Sequence, residues 1–305
     1  MLAFALKRLG LAVLVAFTVS LLSFGLLFLS GDPAAAVAGE GATDADIAAI
    51  SAFYGFNRPF IVQYGEWLWK AVHGDFGQSY YFQLPVASLI ADRLSITMTL
   101  GLCAITFALV TAIPLGVAAA VRPNSIVDRI ALFISVMGQA MPSFWFGLLL
   151  IVLFAIKLGW LPPSGTESWK NFVMPTVVLG YYAMPAIMRL TRAGMLEVLH
   201  ADFIRTARAK GAGEWRVLFK HALRNAIIPV VSLAAVQMGF MLGGSIVVES
   251  IFALHGAGFL AWESISRNDL PTVQALILIF SMFYIAFTLL SDLLNAWLDP
   301  RMRVA

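Results

Sequence analysis

Charge is scarce in this sequence. Only 12% of its 305 residues are Asp, Glu, Lys or Arg, about half the ~25% of a soluble domain, which excludes a water-soluble globular protein of this length. A single cysteine, Cys103, excludes a disulfide scaffold. A net formal charge of +3 provides no extended basic surface, so no nucleic-acid partner is expected, and 60% apolar content excludes a disordered chain. Metal-ligand spacing is missing as well: His73, His200, His221 and His255 are scattered over three loops, the nearest two 21 positions apart, and no metal site is expected. A P-loop needs a lysine followed by Ser or Thr. The six lysines are followed by Arg8, Ala71, Leu158, Asn171, Gly211 and His221, so any ATP is expected to be hydrolysed on another chain.

What the sequence has in abundance is long apolar runs. A spanning helix needs ~20 apolar residues for a hydrocarbon core of roughly 30 Å. Six runs qualify, at 9–29, 94–121, 130–156, 172–188, 227–248 and 273–290, and none holds Asp, Glu, Lys, Arg or His. Proton-coupled carriers and intramembrane proteases place such groups at bilayer depth, so both classes lose their support. The first run follows Lys7-Arg8, and its 21 residues exceed the ~7–15 of a signal-peptide core, so it reads as a retained anchor. Taking alternate blocks between spans, Lys and Arg divide fourteen to six and acids six to eleven. Positive charge is retained inside during insertion, which puts both termini and the 189–226 loop in the cytoplasm.

Two connections exceed the usual ~2–8 residues. The outer one, 30–93, reads as two short helices at 45–54 and Phe60–Val72, bounded by the breakers Gly31-Asp32-Pro33, Gly39, Gly41, Asn57-Arg58-Pro59 and Gly74–Gly77, with Trp67, Trp69, Tyr80 and Tyr81 suited to a membrane boundary. It serves either as an interfacial anchor or as a surface that also meets a ligand or partner. The inner one, 189–226, reads as a helix over 197–210, stopped by Gly211 and Gly213, and a second from Glu214 with Trp215, Leu218, Phe219 and Ala222 on one stripe. A basic amphipathic helix of this kind lies on anionic lipid, packs on its own protein, or docks in the groove of a soluble partner. Within the spans, Pro114, Pro142, Pro175 and Pro185 each free a backbone carbonyl that protein or water must satisfy. Gln237, Gly239, Gly243, Gly244 and Ser245 form a small, weakly polar face suited to close packing or to a solute path. The path candidates are Gln139, Met141, Gln237, Met241 and Ser245.

The runs Asp202–Gly211 (DFIRTARAKG) and His221–Pro229 (HALRNAIIP) resemble the cytoplasmic loop signature of permease subunits of ATP-binding-cassette importers, specifically the dipeptide/oligopeptide/nickel group. The likeness spans nearly the whole chain: Gly31-Asp32-Pro33-Ala34, Gly74-Asp75-Phe76-Gly77, Met141-Pro142-Ser143-Phe144-Trp145, Leu161-Pro162-Pro163-Ser164-Gly165, Val248-Glu249-Ser250-Ile251-Phe252 and Leu298-Asp299-Pro300-Arg301. Arg205 stands where the general signature has an acid, Pro229 comes late, and Leu254-His255-Gly256 replaces Trp-Pro-Gly.

The resemblance implies an all-α integral membrane protein with six transmembrane helices in the type I importer permease fold. Residues 1–93 would form the first helix plus a periplasmic insertion, and 94–305 a five-helix core. It implies that Arg205, Thr206, Ala207, Lys210, Gly211, Gly213, Glu214, Trp215, Leu218 and Phe219 couple to ATPase chains, and that ATP and Mg are held only on those partners. The implied partners are a second homologous permease subunit, two cytoplasmic ATPase subunits and a periplasmic substrate-binding protein, all in a bacterial inner membrane, with peptides or similar solutes as cargo and no catalytic residue on this chain. The contrasting reading is a self-contained channel or secondary carrier whose basic loop merely binds lipid.

Overall fold

In the computed structural model, residues 2–29, 32–39 and 41–298 are described, and they are mostly helical. Gly31 and the closing Asp299-Pro300-Arg301 lie outside the described residues. Helix α1 (Leu2–Leu29) leads into the insertion, made of α2 (Pro33–Ala38), α3 (Asp44–Tyr54) and α4 (Phe60–Val72). Local chemistry sets these ends. The Asp32 carboxylate accepts the Ala34 N–H at 2.8 Å, and Thr43 and Asp46 cap each other's backbone in a capping box. Gly55 stops α3 at φ +74°, a conformation that suits glycine. Helix α4 rests on α1 through Tyr64 and Trp67, whose rings lie 5.6 and 5.4 Å from that of Phe24. The Tyr64 hydroxyl meets Ser20 Oγ at 2.7 Å.

Helix α5 (Val86–Val121) begins well before the apolar run, because Pro85 at its N-cap starts it in the insertion. Next come α6 (Ile126–Ala140), α7 (Ser143–Leu150) with a π-helical extension Ile151–Lys157, and α8 (Val173–Leu199) behind a 3₁₀ turn at Trp169–Phe172. The loop helices are α9 (Asp202–Ala209), α10 (Glu214–Arg216), a π turn at Val217–Ala222 and α11 (Leu223–Ala226). The chain closes with α12 (Ile228–Ile251), α13 (Ala257–Ser266) and α14 (Leu270–Leu298).

Three expectations need correction. Among the described residues five unbroken helices are long and apolar enough to cross a membrane, and the third of the six expected spans is a broken pair, Ile126–Ala140 and Ser143–Lys157, bent by 105° and making up the sixth. Pro142 has no N–H and holds Met141 extended at φ −86°, ψ 127°, which breaks the helix there. Second, the helix expected over 197–210 is divided: α8 runs to Leu199, and α9 restarts at Asp202. Third, the helices outrun the apolar stretches and carry buried charge-bearing residues at their ends, Asp128 and Glu249.

The core forms where α5 and α8 meet, with Ala104, Ala108 and Ala112 facing Met184, Ile187 and Met188. The small residues of α5 allow close backbone approach, the packing device of membrane helices. Gly239 of α12 lies flat on Tyr284 of α14, where an added Cβ would sit 2.7 Å from the ring.

The insertion is fastened to this core by Asp269, fully buried between α13 and α14. It accepts from Ser79 Oγ at 2.6 Å, the Tyr80 N–H at 2.8 Å and Thr272 Oγ1 at 2.6 Å. Hydrogen bonds to a charged acceptor contribute ~1.5–3 kcal/mol each. Asp269→Ala is therefore expected to release the 75–85 segment, raising protease cleavage there about tenfold while the rest of the chain stays resistant.

Candidate functional site

The 189–226 loop is the most sharply built polar element of the molecule. Its underside is apolar: Ile204 of α9 and Val217 and Ala222 of the π turn are fully buried with Met195 of α8 and Val117 of α5. The π turn explains why the expected stripe of Trp215, Leu218, Phe219 and Ala222 does not form. Residues five apart share a face in a π turn, so Val217 and Ala222 point inward, Leu218 and Phe219 are half-buried, and Trp215 is left 75% exposed. The Trp215 ring tilts against Phe219 at 4.1 Å.

A charged clip holds the bend. Arg208 donates through Nε and Nη2 to the two Glu214 oxygens at 2.8 and 3.2 Å, across the turn at Lys210–Gly213. Gly211 takes φ +81° and ends α9, while Gly213 serves as N-cap of α10 at an ordinary φ of −63°. The Arg208 guanidinium holds the Glu214 carboxyl below its ordinary range. The clip is therefore intact at neutral pH and loosens only as pH falls through the lowered carboxylate pKa. On the outer side of α9, Arg205 pairs with Asp202 at 3.3 Å, both well exposed, Thr206 Oγ1 donates to the Asp202 carbonyl at 3.0 Å, and Ala207 packs on the apolar floor. Phe203 is also exposed. The expected coupling residues thus occupy one rigid loop, with Phe203, Arg205, Lys210 and Trp215 facing outward.

Sequence reasoning missed the attachment of this loop to the core. Arg192 of α8 grips Asp128 of α6 with two parallel bonds, Nε to Oδ1 and Nη2 to Oδ2, both 2.7 Å. Asp128 is 2% exposed and also accepts the Asn124 N–H at 2.9 Å. The available signal was that one charge stands just before the third apolar run and the other just after the fourth, ends that adjacent antiparallel helices bring together.

The path candidates separate. Gln139 is exposed near the elbow, and Met141 and Gln237 are half-buried, whereas Met241 and Ser245 are buried within the chain. Ser245 Oγ donates to the Leu242 carbonyl at 2.8 Å. At the other end of the molecule, the insertion and α14 enclose a cavity of about 510 Å³ walled by Phe24, Tyr54, Trp67, Tyr80 and Gln274. Burial pushes the Tyr80 hydroxyl well above its ordinary pKa, so it stays protonated.

Comparison with known proteins follows the same division. The family described as "Binding-protein-dependent transport system inner membrane component" matches residues 112–304, and its N-terminal counterpart matches residues 1–103. A putative peptide transport system permease protein of Brucella abortus (strain 2308) is 38% identical over 312 residues, covering 99% of both chains. The glutathione transport system permease protein GsiC of Escherichia coli (strain K12) is 40% identical over 304 residues, again covering 99% of both. Among solved structures, the MetNI methionine ABC transporter in an inward-facing conformation superposes with a TM-score of 0.56 at 20% identity, over 69% of this chain and 96% of that one.

Proposed function

Because the chain belongs to the family of binding-protein-dependent transport system inner membrane components and is an ABC importer permease component, we propose that it is one of two different transmembrane subunits of an ATP-driven importer of short peptides or glutathione-like solutes. The relatives named for peptide and glutathione transport support that cargo class. A periplasmic binding protein delivers the solute to the face bearing the insertion. Two cytoplasmic ATPase chains, which hold ATP and Mg, close on each other and move the 189–226 loop. Both termini and that loop lie on the cytoplasmic side of a bacterial inner membrane, the arrangement that the fourteen-to-six division of Lys and Arg favours.

The observation that carries the coupling role is a rigid, clipped loop presenting an exposed tryptophan. Lipid headgroups attract basic charge but do not require a fixed bend, whereas docking in a protein groove needs a preformed apolar anchor. Trp215→Ala removes the anchor while leaving the buried floor of Ile204, Val217 and Ala222 untouched. The expected result is normal membrane insertion, about thirtyfold weaker association with the ATPase chains, the ~2 kcal/mol of an interface hot spot, and a matching loss of uptake. Wild-type retention of both would remove the coupling role.

A further inference from the structure

Helix α8 is buried on nearly every side, and the little surface it keeps is unlike a lipid-facing one. Over its membrane portion and the turn beyond, the exposed positions are Tyr182, Arg189 and Ala193, with half-buried Ala186 between them on the same stripe. Helix α1 shows what lipid contact selects in this chain: its exposed residues include Leu11, Val13, Leu14, Phe17 and Leu22. A lipid-facing stripe has no use for a phenol and a guanidinium, and ionisable groups at bilayer depth face a protein partner or water.

Arg189 follows directly on the apolar run 172–188 and lies one turn closer to the membrane centre than Arg192. Its Nη1 donates to Gln139 Oε1 at 3.3 Å, beside the elbow between α6 and α7. That neutral amide leaves the guanidinium charge uncompensated. The nearest acid on α6, Asp128, is already held by both nitrogens of Arg192, and among the described residues no carboxylate pairs with Arg189. An exposed, charge-unbalanced arginine with a polar neighbour, on a helix otherwise sealed by packing, fits a wall along which a negatively charged group passes.

We propose that Tyr182, Arg189 and Gln139 line the solute path, and that Arg189 attracts the carboxylate of the passing solute. The site deepens the permease reading and rests on it: selection by the binding protein would be followed by a second electrostatic preference for carboxylate-bearing cargo at the cytoplasmic end of the fourth span.

A chain with one native cysteine makes the test direct. In the importer assembled in native membranes, on a Cys103→Ser background, Gln139→Cys is titrated with membrane-impermeant methanethiosulfonates, one bearing a sulfonate and one a trimethylammonium group, with and without ATP. Both reagents are expected to react, the anionic one favoured about tenfold by a guanidinium within several ångströms. Arg189→Gln should bring the ratio near one, and Arg189→Lys should keep most of the preference. Failure of either reagent to react in any nucleotide state, or a ratio indifferent to Arg189→Gln, overturns the proposal. The permease reading fails by a separate measurement, the ATPase co-purification and uptake of Trp215→Ala, on which the labelling ratio does not depend.

Discussion

Gly180→Ala should leave little folded protein in the membrane. The added Cβ would lie 2.5 Å from the Ala104 carbonyl oxygen and 2.8 Å from Phe107 Cδ1. The first of these is backbone in the middle of α5, so no side-chain rotation relieves the clash. Overpacking a tight core costs ~1–3 kcal/mol even where side chains can yield, and here two long helices must separate instead. Gly116, further along the same contact, faces the Met188 carbonyl oxygen at 2.8 Å from an added Cβ, so α5 and α8 are held close at both ends of their overlap. The measurement is monodisperse yield in detergent together with thermal stability. The control is Gly243→Ala on α12, where an added Cβ meets nothing within 4 Å. That variant should purify like wild type, and equal behaviour of the two would show that the close approach of α5 and α8 is not a determinant of the fold.

Glu249→Ala is expected to be nearly as damaging, for a different reason. The Glu249 carboxyl is fully buried and takes hydrogen bonds from Thr97 Oγ1 at 2.7 Å and from the Phe259 N–H at 2.8 Å, while Thr97 Oγ1 in turn accepts the Ala257 N–H at 2.8 Å. One side chain of α12 therefore caps the start of α13 and ties it to α5. Gly256 and Gly258 make room for it: an added Cβ at either would come within 2.5 and 2.9 Å of a Glu249 oxygen. Losing the carboxyl orphans two buried donors, for a cost of about 3 kcal/mol. Glu249→Gln keeps the shape and one acceptor but turns an amide N–H₂ toward a donor, so it should fall between wild type and Glu249→Ala in thermal stability. Gly256→Ala should behave like Glu249→Ala by expelling the carboxyl. If all three melted as wild type, the carboxyl would not be what holds α13.

The same network shows how far the sequence could be read. The motif Val248-Glu249-Ser250-Ile251-Phe252 was visible as a resemblance, yet nothing in its spacing said that Glu249 points into the protein toward Thr97, 152 positions earlier. Hydropathy placed the long helices, because burial in lipid imposes a run length that short-range statistics detect. It also drew the third span straight, since Met141-Pro142 lies inside an unbroken apolar stretch and hydropathy is blind to a missing N–H. Phe60–Val72 was legible to the residue because Pro59 begins it and Gly74 follows its end. Arg205, Lys210 and Trp215 of the 189–226 loop were singled out through the resemblance, whereas the inward turn of Val217 and Ala222 depends on π winding that a 3.6-residue period cannot anticipate. The Asp128–Arg192 grip was signalled only by charges flanking the third and fourth apolar runs, and the Arg189–Gln139 contact is a product of tertiary packing.

The apolar floor beneath the clipped bend has a mechanical consequence. Ile204, Val217 and Ala222 share their packing with Met195, and Met195 belongs to the same unbroken helix as Arg189. Under the proposed coupling role, a push received at Trp215 would meet no slack tether and would pass along α8 as along a crankshaft, turning the proposed cargo wall in the same stroke.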